Sequence, residues 1–282
     1  MSTTAIKDIA LTAQAQAKTL TIQGARIFVQ ERGSGIPTLL LHGVPDNGDM
    51  WNGIVAGLEN AYHCYIPDLP GLGRSTAPAD FDLSLENRAR FIDELITALG
   101  ITEPLNLIVH DFGGHYGLAW AVRHPEKVRR IAIFSTSFFT SYHWHRNAQL
   151  LRMPIIGELS MALMNESLYV RTLHPLAPGL TEEQVRMLYR NGMTQPAMKR
   201  MILKLYRSVD PPVHFRGWED ELHALTARVP TYVLWGDKDP FADRSCAERF
   251  GAATVQHFAE YDHWLPVEAA DQIAALFRQF LA

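Results

Sequence analysis

Asp111 lies in the run Leu107-Ile108-Val109-His110-Asp111-Phe112-Gly113-Gly114, where an apolar stretch breaks on two glycines. The apolar residues predict a buried strand, the glycine pair a sharp turn, and residues from His115 to about His124 a helix. A strand–turn–helix unit of this kind thrusts the side chain at its apex outward as a nucleophile. A serine at the apex would attack acyl groups. A carboxylate attacks saturated carbon and leaves an alkyl–enzyme ester that water must cleave. That water needs a histidine base, the histidine needs an orienting acid, and the ester carbonyl needs backbone donors. The donors called for are the N–H of Phe112, next after Asp111, and the N–H of Val44 in His42-Gly43-Val44-Pro45, with His42 bracing that loop at the pocket's edge. For the acid, Trp235-Gly236-Asp237-Lys238-Asp239-Pro240 offers two carboxylates after one strand-like run.

These groups must be held by a framework, and the apolar pattern supplies one. Residues 19–31 alternate like strands, with turn signals at Gln23-Gly24 and Gly33-Ser34-Gly35. Continuous apolar runs at 38–41, 62–66, 131–134 and 231–235 read as strands buried on both faces, and 254–258 as one more. Helical spacing marks 85–99, ended by Gly100, and 269–281. Alternating strands and helices imply an α/β fold with a doubly wound, mostly parallel sheet. Residues 138–213 interrupt the rhythm: they lack a strand-like run, are rich in Met and Leu, and carry Pro154, Pro175, Pro178 and Pro211-Pro212. The expected organisation is a core of 19–137 and 214–282, a helical insertion at 138–213, and a short tail at 1–18. The turn Gly71-Leu72-Gly73-Arg74-Ser75 lacks the lysine of a phosphate-binding loop and reads as an ordinary loop.

Composition narrows the partners. A net charge of −4 over 282 residues gives neither a nucleic-acid footprint nor a polybasic membrane patch, so neither partner is expected. No apolar run approaches the roughly 18 residues of a membrane span. Two distant cysteines, Cys64 and Cys246, and the lack of a secretory apolar core before Lys18 point to a reduced, cytoplasmic setting.

Taken in chain order, His-Gly-x-Pro at 42–45, His-Asp-x-Gly-Gly at 110–114, Gly-x-x-Asp at 236–239 and a late histidine resemble the α/β-hydrolase superfamily. Within it the carboxylate at the elbow resembles the aspartate-nucleophile branch of epoxide hydrolases and haloalkane dehalogenases. The resemblance spans nearly the whole chain, from Thr19 to Ala282. It implies an eight-stranded sheet, a helical cap over the site and no cofactor or metal. It places the base at His263, in Asp262-His263-Trp264-Leu265-Pro266, and its Gly-x-x-Asp spacing selects Asp239 as the acid, leaving Asp237 to stabilise a turn and His257 as structural.

The leaving group decides between the two activities. Dehalogenases of this branch commonly hold the halide with N–H donors beside the nucleophile and in the His-Gly-x-Pro loop, where this chain has Phe112 and Val44, whose side chains donate nothing. Trp144 in the insertion could substitute. Haloacid enzymes carry arginines where Phe112 and His115 stand. Epoxide hydrolases use cap tyrosines whose un-ionised hydroxyls protonate the departing oxygen. Tyr206 resembles one of these, and Tyr142 is the candidate for the other. His143, Trp144 and His145 read as pocket lining or packing, since histidines two apart diverge on a helix and no third metal ligand accompanies them. The leading expectation is thus an epoxide hydrolase turning a small, largely apolar epoxide and water into a diol. A haloalkane dehalogenase comes second. A haloacid dehalogenase, an esterase and a non-catalytic binding protein of the same fold rank lower.

Overall fold

A computed structural model of the protein describes residues 16–282. The strands are β1 (Gln16–Ile22), β2 (Ala25–Arg32), β3 (Ile36–Leu41), β4 (Tyr62–Pro67), β5 (Leu105–His110), β6 (Val128–Phe134), β7 (Thr231–Gly236) and β8 (Thr254–Phe258). They form one sheet in the order β1-β2-β4-β3-β5-β6-β7-β8. The pairs β1/β2 and β2/β4 are antiparallel, and all the others are parallel. Every residue of β5 and β7 is buried, which is why both read as unbroken apolar runs. The predicted tail reaches too far: its last three residues belong to β1, and the remainder, 1–15, lies outside the described residues.

Helices α1 (Asn52–Ala56), α2 (Leu85–Ala98) and α3 (Phe112–Arg123) connect the first six strands. Between β6 and β7 come α4 (Arg146–Arg152), α5 (Ile156–Leu163), α6 (Glu166–Leu173), α7 (Glu182–Gly192), α8 (Pro196–Ser208), α9 (Pro211–His214) and α10 (Trp218–Thr226), with no strand among the described residues. Their boundaries follow local chemistry. Thr181 and Gln184 form a reciprocal capping box at the start of α7, and Asn165 caps α6 through the N–H of Leu168. Helices α11 (Leu265–Glu268) and α12 (Ala270–Phe280) close the chain. Helix α3 starts at Phe112, three residues before the predicted start. Gly113 and Gly114 lie in its first turn, where they allow close approach: a Cβ on Gly113 would stand 2.2 Å from the carbonyl oxygen of Leu41.

The fold also locates a crevice. From β3 the chain winds outward to β4, then crosses back to β5 on the other side of β3. In open α/β sheets the loops at such a reversal diverge and leave a cleft beyond the strands' carboxyl ends. The loops leaving β3 and β5 carry Val44 and Asp111.

Candidate active site

Asp111 has φ 49° and ψ −125°, a conformation strained for a residue with a side chain. The turn that forces it is closed by glycine. A Cβ on Gly43 would stand 2.3 Å from the Cβ of Asp111, so only hydrogen fits there. The N–H of Val44 donates to Asp111 Oδ1 at 2.8 Å. Burial pushes the Asp111 carboxyl above its usual range, while His263 and the amides of Val44 and Phe112 pull it back. The Val44 amide points at one carboxylate oxygen, a placement that also suits a carbonyl oxygen gaining charge.

His263, in the loop between β8 and α11, is buried against the same carboxylate. Its Nε2 is 4.0 Å from Asp111 Oδ2, and its Nδ1 is 2.9 Å from Asp239 Oδ2. Asp239 is fixed in turn, since its Oδ1 accepts the N–H groups of Phe241 (2.8 Å) and Ala242 (3.0 Å). The Asp239 carboxylate holds a proton on Nδ1 and orients the ring so that Nε2 faces Asp111. Burial alone would depress the His263 imidazolium, but the carboxylates of Asp239, Asp111 and Asp262 outweigh it and push the group up to about 9. Asp237 faces elsewhere, 2.6 Å from His257 Nδ1 and 3.5 Å from Arg244. His110, beside Asp111 in sequence, donates from Nε2 to the carbonyl of His263 at 2.9 Å and so braces the loop from below. Sequence reasoning passed over His110, although its place in the His-Asp pair was the available signal.

A cavity of about 260 Å³ opens above Asp111 and His263, walled by Val44, Leu151, Met161, Met164, Ile202 and Tyr206 among others. A second, about 20 Å³, lies beside it between Asp111, His115, Ser137, Tyr142, Trp144 and His263. That is room for one water. Helices α4, α5, α6 and α8 all contribute walls, so the site is shared between the sheet's edge and the helices inserted after β6.

The structure separates the candidate donors of the loop before α4 and of α8 by what their polar atoms already do. The Tyr142 hydroxyl donates to the carbonyl of Phe241 at 3.1 Å, and the Trp144 indole N–H to the carbonyl of Val209 at 3.2 Å. Trp144 stacks on Phe112 with ring centroids 5.8 Å apart. Tyr206 lines the large cavity, packs edge-on against Phe112, and makes no hydroxyl hydrogen bond to a described residue; burial and the Asp111 charge keep its phenol un-ionised. His145 reaches both cavities. It caps α4 by accepting the N–H of Ala148 at Nδ1 (3.3 Å), which puts its own proton on Nε2. Burial, aided by the positive charge of His263, lowers it to about 4, so it stays neutral. Pocket lining or packing is its expected role, and the structure shows the lining; helical periodicity hides the N-cap that turns the ring inward. His143 is exposed.

His42 corrects one expectation. It borders neither cavity. Its Nδ1 donates to the carbonyl of Gly43 (2.7 Å) and its Nε2 accepts the N–H of Leu69 (2.9 Å), so the ring only ties two loops together.

Comparison with known proteins agrees with this architecture. Residues 37–156 match the family described as alpha/beta hydrolase fold. A cis-3-alkyl-4-alkyloxetan-2-one decarboxylase of Shewanella oneidensis is 25% identical, covering 93% of this chain and 87% of the relative. Haloalkane dehalogenase 2 of Mycobacterium bovis is 26% identical and covers 89% of each chain. The crystal structure of the Cif epoxide hydrolase from Acinetobacter nosocomialis superposes with a TM-score of 0.84 over 97% of this chain and 91% of its own, at 18% identity, a likeness of fold. The chain has the α/β-hydrolase fold and is an α/β-fold hydrolase, similar to haloalkane dehalogenases and epoxide hydrolases.

Proposed function

We propose that the protein is an epoxide hydrolase working through an ester on Asp111, with residues 138–213 as the cap over the site. The observation that carries the reading is the pair of uncommitted donors, Tyr206 hydroxyl and His145 Nε2–H, in the wall of an apolar cavity above Asp111. Asp111 Oδ2 attacks a ring carbon, the C–O bond breaks, and Tyr206 gives its proton to the departing oxygen while His145 donates a hydrogen bond to it. Tyr142 takes no part as a second acid, because its proton is engaged with Phe241. A neutral histidine replaces it.

The second half follows from the charges. While Asp111 is ionised, it helps keep His263 protonated. Esterification removes that charge and the histidine's pKa falls. The imidazolium gives up its Nε2 proton, which by way of water restores the Tyr206 phenolate to a phenol, and the neutral ring is then a base. Water in the gap between His263 and Asp111 then gives a proton to His263 and attacks the ester carbonyl, whose oxygen rests on the Val44 and Phe112 amides. The bond from that carbon to the alkyl oxygen breaks, and the departing alkoxide takes the proton from His263 as the diol leaves. Asp239 holds the ring and offsets the charge it gains.

Two observations favour oxygen over halide as the leaving atom. The indole N–H best placed for a halide is spent on Val209, and an alkoxide needs a proton that Tyr206 can supply. The relative named for an oxetan-2-one also handles a strained oxygen ring. The dehalogenase reading rests on the relative of that name and makes the opposite prediction. The test is the intact mass of His263→Gln after incubation with terminal epoxides and, separately, 1-haloalkanes. An adduct with epoxides, carrying the whole epoxide mass, is expected. Adducts only with haloalkanes, together with halide release by the wild type, would replace this reading with dehalogenation.

A further inference from the structure

Helix α5 is apolar on two sides. Met161 and Met164, the latter just past its end, line the large cavity. The opposite side turns Ile156, Leu159 and Leu163 to solvent, and Met153 and Ile155 extend the row. Ile155 is 73% exposed, Leu163 71% and Leu159 56%. Two apolar sides on one helix are ordinarily both covered, by protein or by lipid. Ile155 also has φ +69°, an outlier for a β-branched residue, and its outward side chain gains little packing within the chain.

Charge lies beside the ridge. A groove of about 290 Å³ between α5 and α8 is lined by Met161, Ala162 and Leu203 together with Lys199 and Arg200. Its one acidic residue, Glu158, is ion-paired with Arg207, whereas Lys199 and Arg200 have no acidic partner among the described residues. Lys199 also steadies α5 through the carbonyls of Met161 and Met164. Leu150 is both 42% exposed and part of the large cavity's wall, so that wall reaches solvent at α4, which packs against α5.

We propose that this face docks on an anionic phospholipid bilayer, the ridge entering between headgroups and acyl chains while Lys199 and Arg200 meet the phosphates. Apolar residues rimmed by cations that no carboxylate neutralises are what an anionic interface binds. A second copy fits less well, because a two-fold contact sets the same patch against itself and brings the cations of both copies together. The net charge of −4 concealed the patch, because it averages over the whole surface. In this arrangement the cavity takes its apolar substrate from the membrane. The docking surface is independent of the reaction assigned to the cavity.

The full chain is mixed with sucrose-loaded vesicles of phosphatidylcholine, with or without phosphatidylglycerol, and sedimented. It should pellet with the phosphatidylglycerol vesicles and be released as salt screens the phosphates. The triple variant Ile155→Ser, Leu159→Ser, Leu163→Ser should bind at least about tenfold more weakly, and Arg200→Glu should also weaken binding. Both should keep the wild-type melting temperature and the wild-type turnover of a short, water-soluble substrate. Wild-type protein left in the supernatant, or a triple variant that pellets equally, overturns the proposal. So does a wild-type dimer, seen by light scattering, that the triple variant converts to monomer, since the ridge would then be a self-contact.

Discussion

The two halves of the site are built in opposite ways. On the sheet side, backbone geometry sets each reacting atom: the strained elbow of Asp111, the amide of Val44, and the Asp239 carboxylate locked by two N–H groups. On the other side, side chains from the loop before α4 and from α8 meet around the cavities, and availability decides their use. Tyr142 and Trp144 have spent their donors on carbonyls, while Tyr206 and His145 have not. The sheet side resembles a fixed jig, and the other side a set of positions that can be refilled. Substitution should therefore be ruinous below the cavity and graded above it.

The largest effect expected is Asp111→Asn, with turnover down by about 10⁴-fold or more while the fold is retained. Steady-state kinetics with mass analysis to exclude deamidation measures it, and undiminished activity would remove the proposed chemistry. Above the cavity, Tyr206→Phe should lower the rate of Asp111 alkylation by about 10²-fold, within the range for general acids, whereas Tyr142→Phe should cost about 1 kcal/mol of stability and leave that rate nearly intact. Rapid-quench kinetics on both variants breaks the comparison if the two tyrosines prove equal.

A titration sharpens it. His263 is raised from 6.5 to about 9 in the folded protein, so its contribution to stability is complete below about pH 6.5 and is lost as the pH rises through about 9. Asp111→Asn removes one of the charges that raise it, as the ester does, and the His263 resonance in an NMR titration should move to lower pH. An unchanged midpoint would show that Asp111 does not set the base. The smallest effect belongs to Asp237→Asn. It weakens the contact with His257 and Arg244 and should change turnover less than about twofold, with under about 1 kcal/mol of stability lost in urea unfolding.

Much of the fold was readable because strands buried on both faces leave continuous apolar runs, as β5 and β7 do. The five-residue helix α1 left no such trace, and the glycines at 113 and 114 looked like turn residues although they start a helix. Sequence leaves His145 between pocket lining and packing, because the cap contact with Ala148 that orients the ring is visible only in the structure.

What the amino-acid order determined alone was the kind of atom at the elbow and the order of acid and histidine behind it, since those are matters of covalent identity and spacing. Tertiary structure decided which of two carboxylates faces His263, and which cap donors remain free. A polar group is available only if nothing packed against it has already taken its hydrogen bond, and those neighbours come from distant parts of the chain.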